Sequence, residues 1–157
     1  MDDGALPIGE EERAVRLAYT ALSAKDRTAA ELRTWLERKG IGHEPVEHAI
    51  RQLEAAGFLD DDRYARQFAA DKRELSEWGS ARIMRTLVGR GISSDLAADV
   101  VSERDRETEL SAAIALLADV VGSPNDDRER KRAWALLVRR GYDPELAYEA
   151  VSAAGRG

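Results

Sequence analysis

Lys72, Arg73, Arg82, Arg85 and Arg90 crowd one stretch of the chain, and Arg139 and Arg140 form a second basic group further on. A guanidinium can hold a carboxylate or a phosphate through two parallel bonds, so these residues are candidates for docking on a charged partner. Trp78 stands among them. Tryptophan is enriched where binding energy concentrates, which makes it a candidate anchor. Each has a plainer reading as well. Cations near helix ends satisfy the helix dipole, which suits Lys39, Arg90, Arg139 and Arg140. The others can be a solvated face paired with Asp and Glu, and Trp78 can pack between helices.

Other reactive residues lead nowhere specific. Asp60-Asp61-Asp62 lacks converging oxygen ligands and a glycine-bearing loop, so it reads as a helix cap rather than a cation site. His43 and His48 are five apart, where zinc ligands on a helix are more often four apart with a third ligand. The chain has no cysteine, which removes thiol nucleophiles, cysteine zinc sites and disulfides. No Gly-x-Ser-x-Gly elbow occurs, and Gly89-Arg90-Gly91 reads as a helix end rather than a phosphate cradle. No catalytic, metal-binding or cofactor-binding residue is nominated, and a non-enzyme is expected.

The 157 residues are 43% hydrophobic and 34% charged, with 6% aromatic, a mixture dominated by helix formers and able to bury a core. The net charge is −6. A simple DNA binder is usually basic, because its affinity comes from neutralising phosphates. No apolar run is long enough to span a bilayer. The start, Met1 to Glu12, is acidic and unlike a signal peptide. A cytoplasmic protein is expected.

The elements that must carry the basic residues come from an internal repeat. Arg38-Lys39-Gly40-Ile41, Gly89-Arg90-Gly91-Ile92 and Arg139-Arg140-Gly141-Tyr142 share one pattern, about 50 residues apart. Leu36, Leu87 and Leu137 precede the glycine by one helical turn, and Leu32, Ile83 and Ala133 by two. Each copy reads as three helices. In the first, Val15, Ala18, Tyr19 and Leu22 form an inner face. Thr28 and Glu31 form a capping box, Leu32, Trp35 and Leu36 point inward, and Gly40 ends the helix. Val46, Ala49, Ile50 and Leu53 line the third helix. The second copy has Tyr64, Phe68 and Ala69, then Ile83 and Leu87, then a Ser93 or Ser94 cap before Leu96, Val100 and Val101. The third has Leu110, Ala113, Ile114 and Leu117, then Ala133, a half-buried Trp134, Leu136 and Leu137, then Asp143-Pro144 opening a helix with Leu146, Ala150 and Val151. The tail after Ala154 is expected to fray. The fold expected is all-α: three tandem three-helix repeats at 10–58, 59–104 and 105–154, in an elongated curved array.

Phe58-Leu59-Asp60-Asp61-Asp62-Arg63-Tyr64-Ala65-Arg66-Gln67-Phe68 resembles the RecX family of recombinase regulators. The resemblance continues through Trp78-Gly79-Ser80-Ala81-Arg82-Ile83 and Gly89-Arg90-Gly91-Ile92. It reaches back through Leu22 to Leu32 and forward to Leu137-Val138-Arg139-Arg140-Gly141-Tyr142. It implies tandem three-helix repeats in a cytoplasmic regulator that binds RecA on DNA, usually limiting filament growth, strand exchange and ATP hydrolysis. The partner implied is the RecA filament, with DNA met directly or through RecA, and no membrane. A monomer is expected. Many members look basic, so the acidic balance here shifts the expected contact toward RecA. A DNA-binding module without a RecA role is the rival, since glycine turns between short helices resemble helix-turn-helix units. The third helices weigh against it: they carry Glu47, Asp95, Asp99, Glu145 and Glu149, which repel phosphates.

Overall fold

A hydroxyl or carboxylate stands where most helices begin, and each cap can be followed into the fold. The computed structural model describes residues 9–156. Residues 1–8 of the acidic start lie outside the described residues, as does residue 157. The described residues form nine α-helices and no strand. They are α1 (Glu10–Ala24), α2 (Ala29–Arg38), α3 (His43–Ala55), α4 (Asp61–Leu75), α5 (Ser80–Gly89), α6 (Ser94–Ser102), α7 (Arg106–Val120), α8 (Asp127–Arg140) and α9 (Pro144–Arg156). The fold is all-α and built of three-helix repeats, one for each copy of the sequence pattern.

The capping box at α2 is present: the Glu31 amide donates to the Thr28 hydroxyl at 3.0 Å, and the Thr28 amide donates to the Glu31 carboxylate at 3.0 Å. Asp60 accepts from the Arg63 amide at the start of α4, Ser93 from Leu96 before α6, and Asp143 from Glu145 and Leu146 before α9. These bonds satisfy amides that a helix start leaves free. The glycine turns also form as expected. At Gly40, φ is +84°, and the Gly40 and Ile41 amides donate back to Glu37 and Leu36. At Gly141, φ is +100°, and the Gly141 and Tyr142 amides donate to Val138 and Leu137. Glycine takes this left-handed conformation without a Cβ penalty. The residue after each turn glycine, Ile41, Ile92 or Tyr142, is buried.

By internal contacts the chain forms two compact units. One runs to Tyr64 and includes Arg90–Ile92; the other holds Ala65–Gly89 and the chain from Ser93 onward. The core of the first gathers Ala14, Ala18, Leu32, Leu36, Ile41, Val46, Ala49, Ile50, Leu53 and Leu59. In the second, Ala113, Leu116, Leu117, Ala133, Leu137, Tyr142, Leu146, Ala147, Ala150 and Val151 form one cluster. Alanines take many of the inner positions, so helix backbones approach closely there.

Two expectations are corrected. Tyr19 is 51% exposed rather than on the inner face of α1. The buried stripe is Ala14, Ala18 and Ala21, and Tyr19 instead meets half-exposed Phe58 edge-on at 5.3 Å. The carboxyl-terminal helix continues through Ala154 to Arg156 rather than ending there.

Candidate partner-docking face

Trp78 lies in the short turn between α4 and α5, within the second unit. That turn is held from several sides. The Trp78 amide donates to the Lys72 carbonyl at 3.0 Å, and Glu77 sits at φ +56°. A non-glycine residue pays about 1 kcal/mol or more for that conformation, so the surroundings must enforce it. Arg140 donates to the Ser76 carbonyl at 3.3 Å, and the Tyr142 hydroxyl to the Glu77 carbonyl at 3.4 Å. The Gly79 amide donates to the Arg140 carbonyl at 2.7 Å, and the Ala81 amide to Gly141 at 2.9 Å. A Cβ on Gly79 would stand 2.5 Å from the Gly141 backbone.

On this braced turn the indole gathers cations. The Arg82 guanidinium lies 4.0 Å from the Trp78 ring centroid and the Lys72 ammonium 4.7 Å. Phe68 meets the indole edge-on at 6.1 Å. Cation–π attraction of about 0.5–1 kcal/mol each fixes the two long side chains against a flat apolar surface. Trp78 is half-buried, so part of the ring stays at the surface.

The nominated cations divide into distinct groups. Lys72 and Arg82 share Trp78. Arg85 and Arg139 are exposed, and the Arg139 carbonyl accepts from Arg82 at 3.4 Å. Arg73 and Arg140 turn inward. Arg73 donates to the Ser80 hydroxyl and the Val101 carbonyl, both at 3.0 Å. Burial, and then the neighbouring Arg104 charge, pull its pKa below the usual arginine value. Arg90 belongs to the first unit, where it donates to the Tyr64 hydroxyl at 2.7 Å. Trp35 is half-buried beneath Arg27 and Lys39, and half-exposed Trp134 donates to the Pro144 carbonyl.

One residue behind this face was missed by sequence reasoning. Glu109 is only 6% exposed, and its carboxylate accepts from the Ser80 amide at 2.7 Å. Its other oxygen lies 3.4 Å from Arg104 Nε, an ion pair whose geometry falls short of a hydrogen bond. Burial and the Glu109 and Glu77 carboxylates raise the Tyr142 phenol pKa; Arg104 opposes them. Among the described residues no group of three acidic, His or Cys side chains is arranged to hold a metal ion. Among the described residues no helix is long and apolar enough to cross a membrane.

A bacterial relative, "Regulatory protein RecX" of Deinococcus radiodurans, is 37% identical over 145 residues, covering 90% of this chain and 69% of its own length. The chain belongs to the RecX family. The family's second three-helix domain matches residues 60–101, the segment that carries Trp78, Lys72, Arg82 and Arg85. "Regulatory protein RecX" of Mycobacterium leprae is 31% identical over 147 residues, covering 91% of this chain and 86% of the relative. The crystal structure of RecX from Lactobacillus salivarius superposes with a TM-score of 0.84 at 17% identity, covering 94% of this chain and 98% of that one. A second crystal structure, of regulatory protein RecX, gives 0.77 at 20% identity, covering 92% and 72%. At those identities the RecX structures establish a shared fold. The relatives' name gives this RecX chain a regulatory role.

Proposed function

We propose that this chain regulates the RecA recombinase by docking on the RecA–DNA filament and limiting its activity. The reading is of a non-catalytic cytoplasmic monomer, acting in recombination and repair within the response to DNA damage. Its sequence units are the repeats at 10–58, 59–104 and 105–154. Binding blocks subunit addition, partner exchange or a conformational step of the filament. The observation that carries this reading is the braced Trp78 turn bearing Lys72 and Arg82, with exposed Arg85 and Arg139 in the same unit. A cation-lined aromatic on a rigid turn suits an acidic protein surface, because its geometry is set before the partner arrives. Arg73 and Arg140 serve as positioning residues, and Arg90 adds a cation on the first unit. Several modest contacts along a repetitive filament add through effective concentration.

A titration of the protein into RecA strand-exchange and ATPase assays tests this reading. Both activities are expected to fall as protein is added, and a protein that leaves both unchanged contradicts it. DNA binding without RecA is the second reading. It is disfavoured by Glu47, Asp95, Asp99, Glu145 and Glu149 on the third helices, and binding assays with DNA alone, RecA alone and both together separate the two.

A further inference from the structure

The first unit leaves two large apolar side chains uncovered, and it leaves them together. Among its described residues, only Tyr19 and Phe58 are large hydrophobics more than half exposed, at 51% and 52%. Tyr19 comes from α1 and Phe58 from the turn after α3, and their rings meet edge-on at 5.3 Å. Both line a hollow of about 560 Å³ between α1 and α3, together with half-buried Val15 and buried Leu53. The turn that carries Phe58 is fixed. Gly57 sits at φ +81°, the Phe58 amide donates to the Leu53 carbonyl at 3.0 Å, and Arg63 donates to the Gly57 carbonyl at 3.2 Å. The backbone therefore holds the ring out at the surface.

The hollow adjoins a second one, the two sharing Gln52 and Ala56. Their linings carry three basic side chains, Arg16, His48 and Arg51, and no carboxylate, in a chain whose acidic residues outnumber Lys and Arg by 30 to 24. His48 lies 3.6 Å from Glu11. Arg16 and Arg51 are exposed, and among the described residues neither has a carboxylate within ion-pair distance. Glu47, one turn before Arg51, is held by Arg33. The acids of α1 are Glu10, Glu11 and Glu12, all in its first turn, and Glu12 stands about two turns before Tyr19. The groove thus has an aromatic end, a basic middle and its carboxylates only at the far end.

We propose that this groove docks a short acidic segment of another protein, whose apolar side chain seats against Tyr19 and Phe58 while its carboxylates meet Arg16 and Arg51. Binding energy concentrates where an anchor side chain fills a concave apolar site, and a guanidinium without a partner can grip a carboxylate through two bonds. Other occupants fit less well. A single-stranded nucleic acid stacks its bases on open ring faces, whereas here the edge of one ring covers a face of the other, at 88°. A second copy of this chain, paired through the same face, would set Arg16 and Arg51 against their own copies, because a twofold contact brings identical patches together. The groove lies wholly in the first unit and Trp78 in the second, so the inference stands independently of the filament reading.

The probe is a display library of random peptides, panned against the full-length chain. Enriched sequences are expected to set an aromatic or aliphatic residue beside Asp or Glu. Such a peptide, synthesised and titrated into the isotopically labelled chain, should give saturable amide shifts around Tyr19, Gln52 and Phe58. Tyr19→Ser and, separately, the Arg16→Glu, Arg51→Glu double variant should each weaken it at least about tenfold. All three positions are exposed, so circular dichroism should match the parent. No enrichment, enriched sequences without carboxylates, shifts elsewhere, or binding insensitive to both variants overturns the proposal. Three further results overturn it by naming another occupant: oligothymidylate binding lost in Tyr19→Ser, self-association lost in that variant, or peptide binding that appears only after residues 1–8 are removed.

Discussion

The Thr28 hydroxyl accepts from the Glu31 amide at one lone pair and donates its proton to the Arg90 carbonyl, 62 positions away in sequence. Thr28 is fully buried, so its hydroxyl has no water to turn to instead. A helix cap alone is worth about 1 kcal/mol. Leaving the Arg90 carbonyl unpaired adds a similar cost. Thr28→Ala is therefore expected to lose about 2 kcal/mol in a denaturant titration, and Thr28→Ser to lose much less. A loss confined to a few tenths would show that the long-range bond contributes nothing.

The glycine turns separate two requirements that usually occur together. Gly141→Ala combines a strained φ of +100° with a Cβ 2.2 Å from that of Arg82. It should cost at least about 2 kcal/mol and disturb the Trp78 turn, since Gly141 accepts from Ala81. Gly40→Ala meets only the φ penalty and should cost about 1 kcal/mol. Thermal unfolding of the two variants measures the difference. Equal costs would mean that the contact between Gly141 and Arg82 is not tight.

Much of this was legible in the sequence. The three Gly-centred turns, the Thr28–Glu31 box and the Asp143-Pro144 start all follow from local chemistry that spacing records. Periodicity places a residue on a helix face, but it does not say which way a long side chain folds. Arg73 and Arg140 share a composition with Arg85 and Arg139, yet only the first pair reaches back to carbonyls. Asp61 was legible as part of an acidic run at a helix start, whereas Glu109 carried no signal that set it apart from the other acidic residues. That each reaches a different helix's amide depends on tertiary packing, for which one sequence carries no signal. Tyr19 was misplaced because alanines, weak in any hydrophobic pattern, occupy the inner stripe.

Acid should weaken the first unit through one identified pair. Arg33 grips Glu47 with bonds of 2.6 and 3.1 Å, and that hydrogen bond, more than the charge, lowers the Glu47 pKa. A carboxyl whose pKa is lower folded than unfolded stabilises the fold above its unfolded pKa. That contribution is lost as pH falls through its folded value, from about pH 4 downward. Glu47→Gln should flatten the stability–pH curve in that window and leave the curve's shape above pH 5 unchanged. An unchanged acid limb would place the linkage on other carboxylates.

Trp78→Ala removes the surface on which Lys72 and Arg82 rest while leaving every charge in place. Filament binding is expected to weaken, with helical content by circular dichroism near that of the parent. Binding that survives this change would shift the anchor away from the α4–α5 turn.

The account's central claim is tested most directly by measuring the affinity of the Arg85→Glu, Arg139→Glu double variant for RecA–DNA filaments across a salt series. These two exposed side chains avoid the bracing contacts made by Arg73 and Arg140. Exposed charges are screened over about 8–10 Å at ordinary ionic strength. The parent protein should bind more weakly as salt rises, and the double variant should bind at least about tenfold more weakly at low salt with a shallower salt dependence. An unchanged affinity and salt slope in a correctly folded double variant would contradict the assignment of this face to the filament.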